Sequence, residues 1–201
     1  MSTWKPAITQ YIQAIETEFD RISIDRRGDL MNISRQLSRS NNPHVIVICT
    51  HNSRRSHFGQ IWLQVAADYF GKDLQSFSGG TEATAFHSNA VGAIERVGFA
   101  VEKDGEKNNP LFLLSYKDGS HQLECFSKKF DDAANPQNDF TAIMVCDSAA
   151  EACPFVPGAS ARFVLPYHDP KDFDGTGQEQ EKYDERCREI GREMFFIVKN
   201  L

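Results

Sequence analysis

Cys49 and Arg55 stand six positions apart in the segment Cys49-Thr50-His51-Asn52-Ser53-Arg54-Arg55-Ser56. The β-branched run Val45-Ile46-Val47-Ile48 precedes it, and Phe58, Ile61, Trp62, Val65, Ala66 and Tyr69 follow at helical spacing. The segment therefore joins a buried strand to a helix. Such a loop aims several backbone N–H groups at one point, near the positive end of the helix dipole, and so forms an oxyanion cradle. Cys49 opens the loop. The dipole and the nearby arginines favour its thiolate, the form of cysteine that attacks. Arg55 can fold over a bound oxyanion as a bidentate clamp. His51 and His57 lie in the same stretch, but no metal-ligand spacing accompanies them, so no metal site is expected.

The elements that must hold this loop follow from the rest of the chain. Leu74–Ser78 reads as a second strand, and Ala90, Val91, Ile94 and Val97 mark a helix ended by Gly98. The apolar stretches 111–116 and 122–127 flank Lys117-Asp118-Gly119-Ser120, a hairpin signal. Phe140–Val145 is a core strand, Arg162–Leu165 a short one, and Glu179–Val198 a C-terminal helix. Residues 7–22 and a stretch through Leu30, Ile33 and Leu37 form N-terminal helices. The alternation predicts an α/β three-layer sandwich around a parallel sheet. Residues 1–43 read as a helical extension, 44–201 as the main domain, and about 103–138 as an insertion bearing the hairpin. The chain has 201 residues, 40% of them apolar and 25% charged, which excludes a disordered or fibrous protein. Its net charge of −6 disfavours a general nucleic-acid binder. No apolar run reaches the ~18–20 residues that cross a bilayer. Met1 to Pro6 lack a signal-peptide stretch, so the expected setting is cytoplasmic. Five cysteines, an odd number in a reducing compartment, argue for buried or reactive thiols or metal ligands rather than a disulfide framework.

The loop resembles the phosphate-binding loop of the low-molecular-weight tyrosine phosphatase superfamily, which includes the thioredoxin-coupled arsenate reductases. The superfamily pattern is Cys-x-Gly-Asn-x-Cys-Arg-Ser. Cys49, Asn52, Arg55 and Ser56 match it, and Thr50 and Ser53 are the types usual on the reductase side. His51 stands where the family has glycine, a residue that often serves a positive-φ position, and Arg54 where it often has a second cysteine. Ser76-Phe77-Ser78-Gly79-Gly80-Thr81-Glu82-Ala83 resembles the family's Ser-Ala-Gly-x-Glu segment, and Asn89-Ala90-Val91 with Gly98 resembles its next helix. The resemblance covers about residues 44–100 and 139–199. It implies the low-molecular-weight phosphatase-like fold, Thr50, His51, Asn52, Ser53, Arg54 and Ser56 around the oxyanion, and Ser78 in support.

It also implies roles elsewhere. His168-Asp169-Pro170 is similar to the family's late Asp-Pro motif, which makes Asp169 the general acid for the departing oxygen. Cys146 closes a predicted core strand, on the side of the sheet where the Cys49 loop lies. Cys153, separated from Cys146 by six residues and followed by Pro154, matches the last thiol of the arsenate reductases. The resemblance thus implies arsenate reduction by a relay through Cys49, Cys146 and Cys153, with no bound cofactor and with thioredoxin or a similar dithiol as reductant. The alternative is a low-molecular-weight phosphotyrosine protein phosphatase using Cys49, Arg55 and Asp169 only, acting on a phosphoprotein. Lys171-Asp172 stands where such phosphatases place aromatics, with Phe173 one position later. A third reading is a non-enzymatic oxyanion-binding module, allowed by His51 and Arg54. Cys125 and Cys187 read as structural.

Overall fold

A computed structural model describes residues 3–40, 42–105, 108–119, 122–153 and 155–201. Met1, Ser2, Ser120 and Pro154, which entered the expectations above, lie outside them.

β1 (His44–Cys49) is buried on both faces because it is central. β2 (Gln75–Gly80) pairs with one side of it and β6 (Phe140–Met144) with the other, both parallel. β7 (Ala159–Val164) joins β6 and completes the order β2-β1-β6-β7. Helices flank this parallel sheet, as the sequence predicted. α3 (Arg55–Phe70) carries the chain from β1 to β2. The next parallel strand then joins the opposite side of β1, so the winding reverses between β1 and β6. In open α/β sheets such a switch point opens a crevice at the carboxyl ends of the two strands. Cys49 ends β1 and Cys146 follows β6 by two residues, which places both at that crevice.

α1 (Pro6–Glu16), a 3₁₀ turn (Phe19–Arg21) and α2 (Ile24–Leu37) pack on α6 (Glu179–Lys199). Ile8, Ile12, Ile15, Leu30, Ile33 and Leu37 enter the same core as the sheet residues. Tyr11 stacks on Trp62 of α3 with ring centroids 5.3 Å apart. The helix expected over 7–22 stops at Glu16, after which Glu18 reaches Arg188 of α6 at 2.8 Å. α4 (Ser88–Val97) ends, as expected, at Gly98, whose φ is +114°.

The structure departs from the sequence reading in two places. The expected hairpin is present as β4 (Leu111–Ser115) and β5 (Leu123–Cys125), but β3 (Ala100–Asp104) adds an antiparallel third strand. Ala-Val-Glu-Lys-Asp, on an exposed edge, offers no buried face for a sequence pattern to reveal. The connection after Cys146, for which the sequence suggested no element, is a helix, α5 (Asp147–Ala152). Arg162 of β7 secures its end, donating to the carbonyls of Ala150 at 2.6 Å and Cys153 at 3.0 Å. Among the described residues no helix is long and apolar enough to cross a membrane.

Because α1 shares the central core, Ile12→Ala should cost about 2–5 kcal/mol. Urea unfolding should show one transition with a lowered midpoint and unchanged slope. An unmoved midpoint would mean that α1 is not part of the cooperative core.

Candidate active site

The cradle is built by turning six consecutive carbonyls outward. Cys49 O accepts from Thr81 N (3.1 Å), Thr50 O from Glu82 N (2.8 Å), Ser53 O from His87 N (2.9 Å) and Arg54 O from Phe58 N (3.1 Å). His51 O accepts from the Ser127 hydroxyl at 3.0 Å, and Asn52 O from the His57 ring at 3.0 Å. Among the described residues no hydrogen bond takes up the loop amides from Thr50 to Ser56, which leaves them free for an anion. No side chain among the described residues caps the N-terminus of α3, so its first amides are also free for an anion.

His57 shows why burial matters here. A carbonyl can only accept, so Nε2 carries the proton and donates to Asn52 O, while Nδ1 faces the Ser78 hydroxyl at 3.4 Å. Burial, aided by the Lys128 charge, lowers the His57 pKa to about 3, which keeps the ring neutral. His57 entered the sequence reading only as a rejected metal ligand, and the structure makes it a strut of the loop. Ser78 supports the loop through it. Among the described residues, no group of three His, Cys, Asp or Glu side chains is placed to hold a metal.

The positive φ of the loop falls on Asn52 (+44°), not on His51, so the histidine in the glycine position of the motif costs nothing in backbone strain. Asparagine tolerates that conformation better than most residues. The close approach is made instead by Gly80, where a Cβ would lie 2.7 Å from Thr50 O and 2.8 Å from Asn52 N. Asn52 is fully buried and bonded at both ends of its amide. Its Oδ1 accepts from Lys128 N at 2.8 Å, and its Nδ2 donates to Ser56 Oγ at 2.8 Å. Ser56 Oγ in turn lies 3.0 Å from the Cys49 sulfur, within hydrogen-bond distance. Asn52, Ser56 and Cys49 thus form one hydrogen-bonded chain at the base of the loop.

Arg55 donates to Tyr167 O at 2.7 Å and pairs with Asp169 Oδ2 at 2.5 Å. The expected clamp and the expected acid therefore face one another over the loop, in a small cleft that Cys49, Thr50, His51, Ser53, Arg54 and Arg55 also line. The Arg54 side chain is tied elsewhere. It donates to Tyr183 of α6 at 2.6 Å and pairs with Asp174 at 3.0 Å. Tyr183 in turn donates to Asp174 at 2.7 Å. His51 extends to Glu82 at 3.6 Å. Cys146 is buried with its sulfur 3.5 Å from the Thr50 hydroxyl, one residue from Cys49. Cys153 is half-buried at the far end of α5. Cys125 and Cys187 are fully buried, and burial pushes both thiols up to about 12.

The inserted segment supplies contacts that the sequence reading did not foresee. Ser127 accepts from Thr84 N at 2.8 Å as well as holding His51 O. Asn109 brackets Ser127, bonding both its N–H (3.1 Å) and its carbonyl (2.7 Å). Gly80 and Phe130 extend the sheet edge through Gly80 N to Lys128 O and Phe130 N to Gly80 O, each 2.9 Å. These residues sit in no motif of the loop, and their side chains are of ordinary turn-forming types, so only the fold reveals them.

The chain is 26% identical over 154 residues to an arsenate reductase of Bacillus licheniformis, across 75% of this chain and 91% of that one. A low-molecular-weight protein tyrosine phosphatase from T. tengcongensis superposes with a TM-score of 0.53 and 18% identity, over 80% of this chain and 100% of that one. A low-molecular-weight phosphotyrosine phosphatase from Vibrio cholerae O395 gives 0.52 and 15%, over 79% and 95%. No protein-family model matches the chain. The fold is that of the low-molecular-weight phosphatases, and the sequence similarity runs to arsenate reductases.

His57 makes a pH prediction. Its folded pKa lies below the unfolded value of 6.5, so the unfolded chain binds more protons as pH falls. The stability from its neutral ring is complete above about 6.5 and declines toward about 3, by at most ~1.4 kcal/mol per pH unit. Denaturant unfolding between pH 6.5 and 4.5 should therefore be steeper in pH for the wild type than for His57→Gln. Parallel curves would show that His57 is not buried neutral.

Proposed function

We propose that this chain reduces arsenate with three of its own thiols, Cys49, Cys146 and Cys153. The observation that carries this reading is the second sulfur at the loop, Cys146 beside Thr50. A phosphatase mechanism has no use for it. The similarity to arsenate reductases supports the same reading. In it residues 44–201 form the reaction domain, with 1–43 as an extension and 103–138 as an insertion. Thr50, His51, Asn52, Ser53, Arg54 and Ser56 supply the cradle, through backbone amides and, for Asn52 and Ser56, through the side chains.

The oxyanion takes the place of the Asp169 carboxylate against Arg55. The Cys49 thiolate attacks arsenic, and Asp169 protonates the oxygen that leaves as water. Cys146 then attacks the Cys49 sulfur. A Cys49–Cys146 disulfide forms, the sulfur–arsenic bond breaks, and its electron pair reduces arsenic to the trivalent state, released as arsenite. Cys153 attacks Cys146, which frees Cys49 and leaves a Cys146–Cys153 disulfide for an external dithiol such as thioredoxin. No bound cofactor enters these steps. Cys146 and Cys153 cap opposite ends of α5, and seven helical positions span about 10 Å. A disulfide needs Cα atoms within ~4.4–6.8 Å, so the last exchange requires α5 to unwind. α5 has only six residues, which suits it to that change.

The second reading, hydrolysis of phosphomonoesters through a phosphocysteine, uses Cys49, Arg55 and Asp169 unchanged and has the shared fold in its favour. The two separate on substitution. Cys49→Ser should abolish both arsenate reduction and aryl phosphate hydrolysis. Cys146→Ser should abolish thioredoxin-driven arsenate reduction while leaving aryl phosphate hydrolysis within about twofold. Unchanged arsenate turnover in Cys146→Ser and in Cys153→Ser would exclude the relay.

A further inference from the structure

Asp169 lies on a segment that the N-terminal helices hold. Arg26, in the first turn of α2, donates through Nη2 to Pro166 O at 3.1 Å and through Nε to Glu193 of α6 at 2.9 Å. Its guanidinium lies 4.7 Å above the Tyr167 ring. The Tyr167 hydroxyl donates to the same Glu193 oxygen at 2.6 Å. Glu193 and Tyr167 are buried, at 4% and 6% exposure. On its other side the segment is stitched to β6, Leu165 N to Met144 O at 2.8 Å and Tyr167 N to Val145 O at 3.2 Å. The carbonyl of Tyr167 is the one that Arg55 grips, and Asp169 follows two residues later.

We infer that Arg26 is a positioning residue for the reaction, which fixes Pro166 and Tyr167 and through them aims both Arg55 and Asp169 at the bound oxyanion. The proposal rests on the reading of Asp169 as the acid. It gives the N-terminal helices a share in the chemistry, although they lie outside the region that resembles the phosphatase superfamily. The pair of half-buried Arg26 with buried Glu193 is not needed for packing alone, since an apolar pair of similar volume often stabilises as well. What an apolar pair lacks is the bond to Pro166 O. Misplacement of a reacting group by about 1 Å costs on the order of 10²-fold in rate, so one lost bond at this hinge is enough to matter.

The test uses leaving groups. Phenolate leaves phenyl phosphate only with a proton, whereas 2,4-dinitrophenolate leaves without one. Asp169→Asn sets the reference and should lose far more rate on phenyl phosphate than on 2,4-dinitrophenyl phosphate. Arg26→Ala should show the same selective loss, about 10–100-fold in kcat on phenyl phosphate and under about fivefold on the dinitrophenyl ester. Two further variants keep the test valid if the unpaired Glu193 of Arg26→Ala prevents folding. Arg26→Lys retains the charge. The double variant Arg26→Met, Glu193→Gln removes both charges and keeps an acceptor for Tyr167. Equal losses on both esters, or none, in a folded Arg26 variant would overturn the proposal. An Asp169→Asn enzyme without leaving-group dependence would instead overturn the reading of Asp169 as the acid, on which the proposal rests.

Discussion

Six backbone carbonyls in a row, from Cys49 to Arg54, point away from the point that their amides surround. A peptide group has its donor and acceptor on opposite sides, so tying the acceptors outside is what turns the donors inside. The bare α3 N-terminus extends the same donor set. Each tie needs a partner at a fixed place, and the partners come from four separate parts of the chain: the end of β2, the start of α4, the first turn of α3 and the insertion. The architecture around the loop can be understood as the means of delivering those partners. Gly80 allows the β2 end to come within van der Waals limits of Thr50 and Asn52. His57 is buried deeply enough to stay neutral, and only as a neutral ring with its proton on Nε2 does it pair with both Asn52 O and Ser78.

The same arrangement sets what lies opposite the cradle. Arg55 bridges Tyr167 O and Asp169, which couples the loop at the end of β1 to the segment after β7. Arg54 makes a parallel connection to Tyr183 and Asp174. Tyr183 keeps its proton, since burial raises its pKa to about 12. Tyr183, Arg54 and His87 hold the Asp174 carboxyl below its ordinary range. Two arginines therefore line the cleft over the loop, Arg55 paired with the expected acid and Arg54 with Tyr183 of α6.

The parts legible in the sequence were those with a local signature. The β-branched run 45–48 reported a strand buried on both faces, the 3.6-residue period after it reported α3, and Asp118-Gly119 reported the β4–β5 turn. Cys49 and Arg55 stood out by their place on a strand-to-helix loop, whereas Asn52 and Ser56 entered only through the resemblance to the phosphatase loop. What could not be read depends on distant partners. Ser127 and Asn109 are unremarkable loop residues until the insertion folds back on His51. Arg26 looks like any charge on an amphipathic helix until α6 brings Glu193 to it. β3 failed for another reason, since an exposed edge strand with mixed polarity carries no period. α5 was hidden because Asp-Ser-Ala-Ala-Glu-Ala is too short to show one.

The central claim is that electrons pass from this chain's own thiols to the bound oxyanion. The direct measurement mixes the fully reduced protein with one equivalent of arsenate, without any external reductant, and then counts free thiols and maps disulfides by mass spectrometry. One arsenite released and two thiols lost per chain are expected, recovered as a Cys146–Cys153 disulfide, with Cys125 and Cys187 still reduced. All five thiols remaining free, with no arsenite formed, would contradict it.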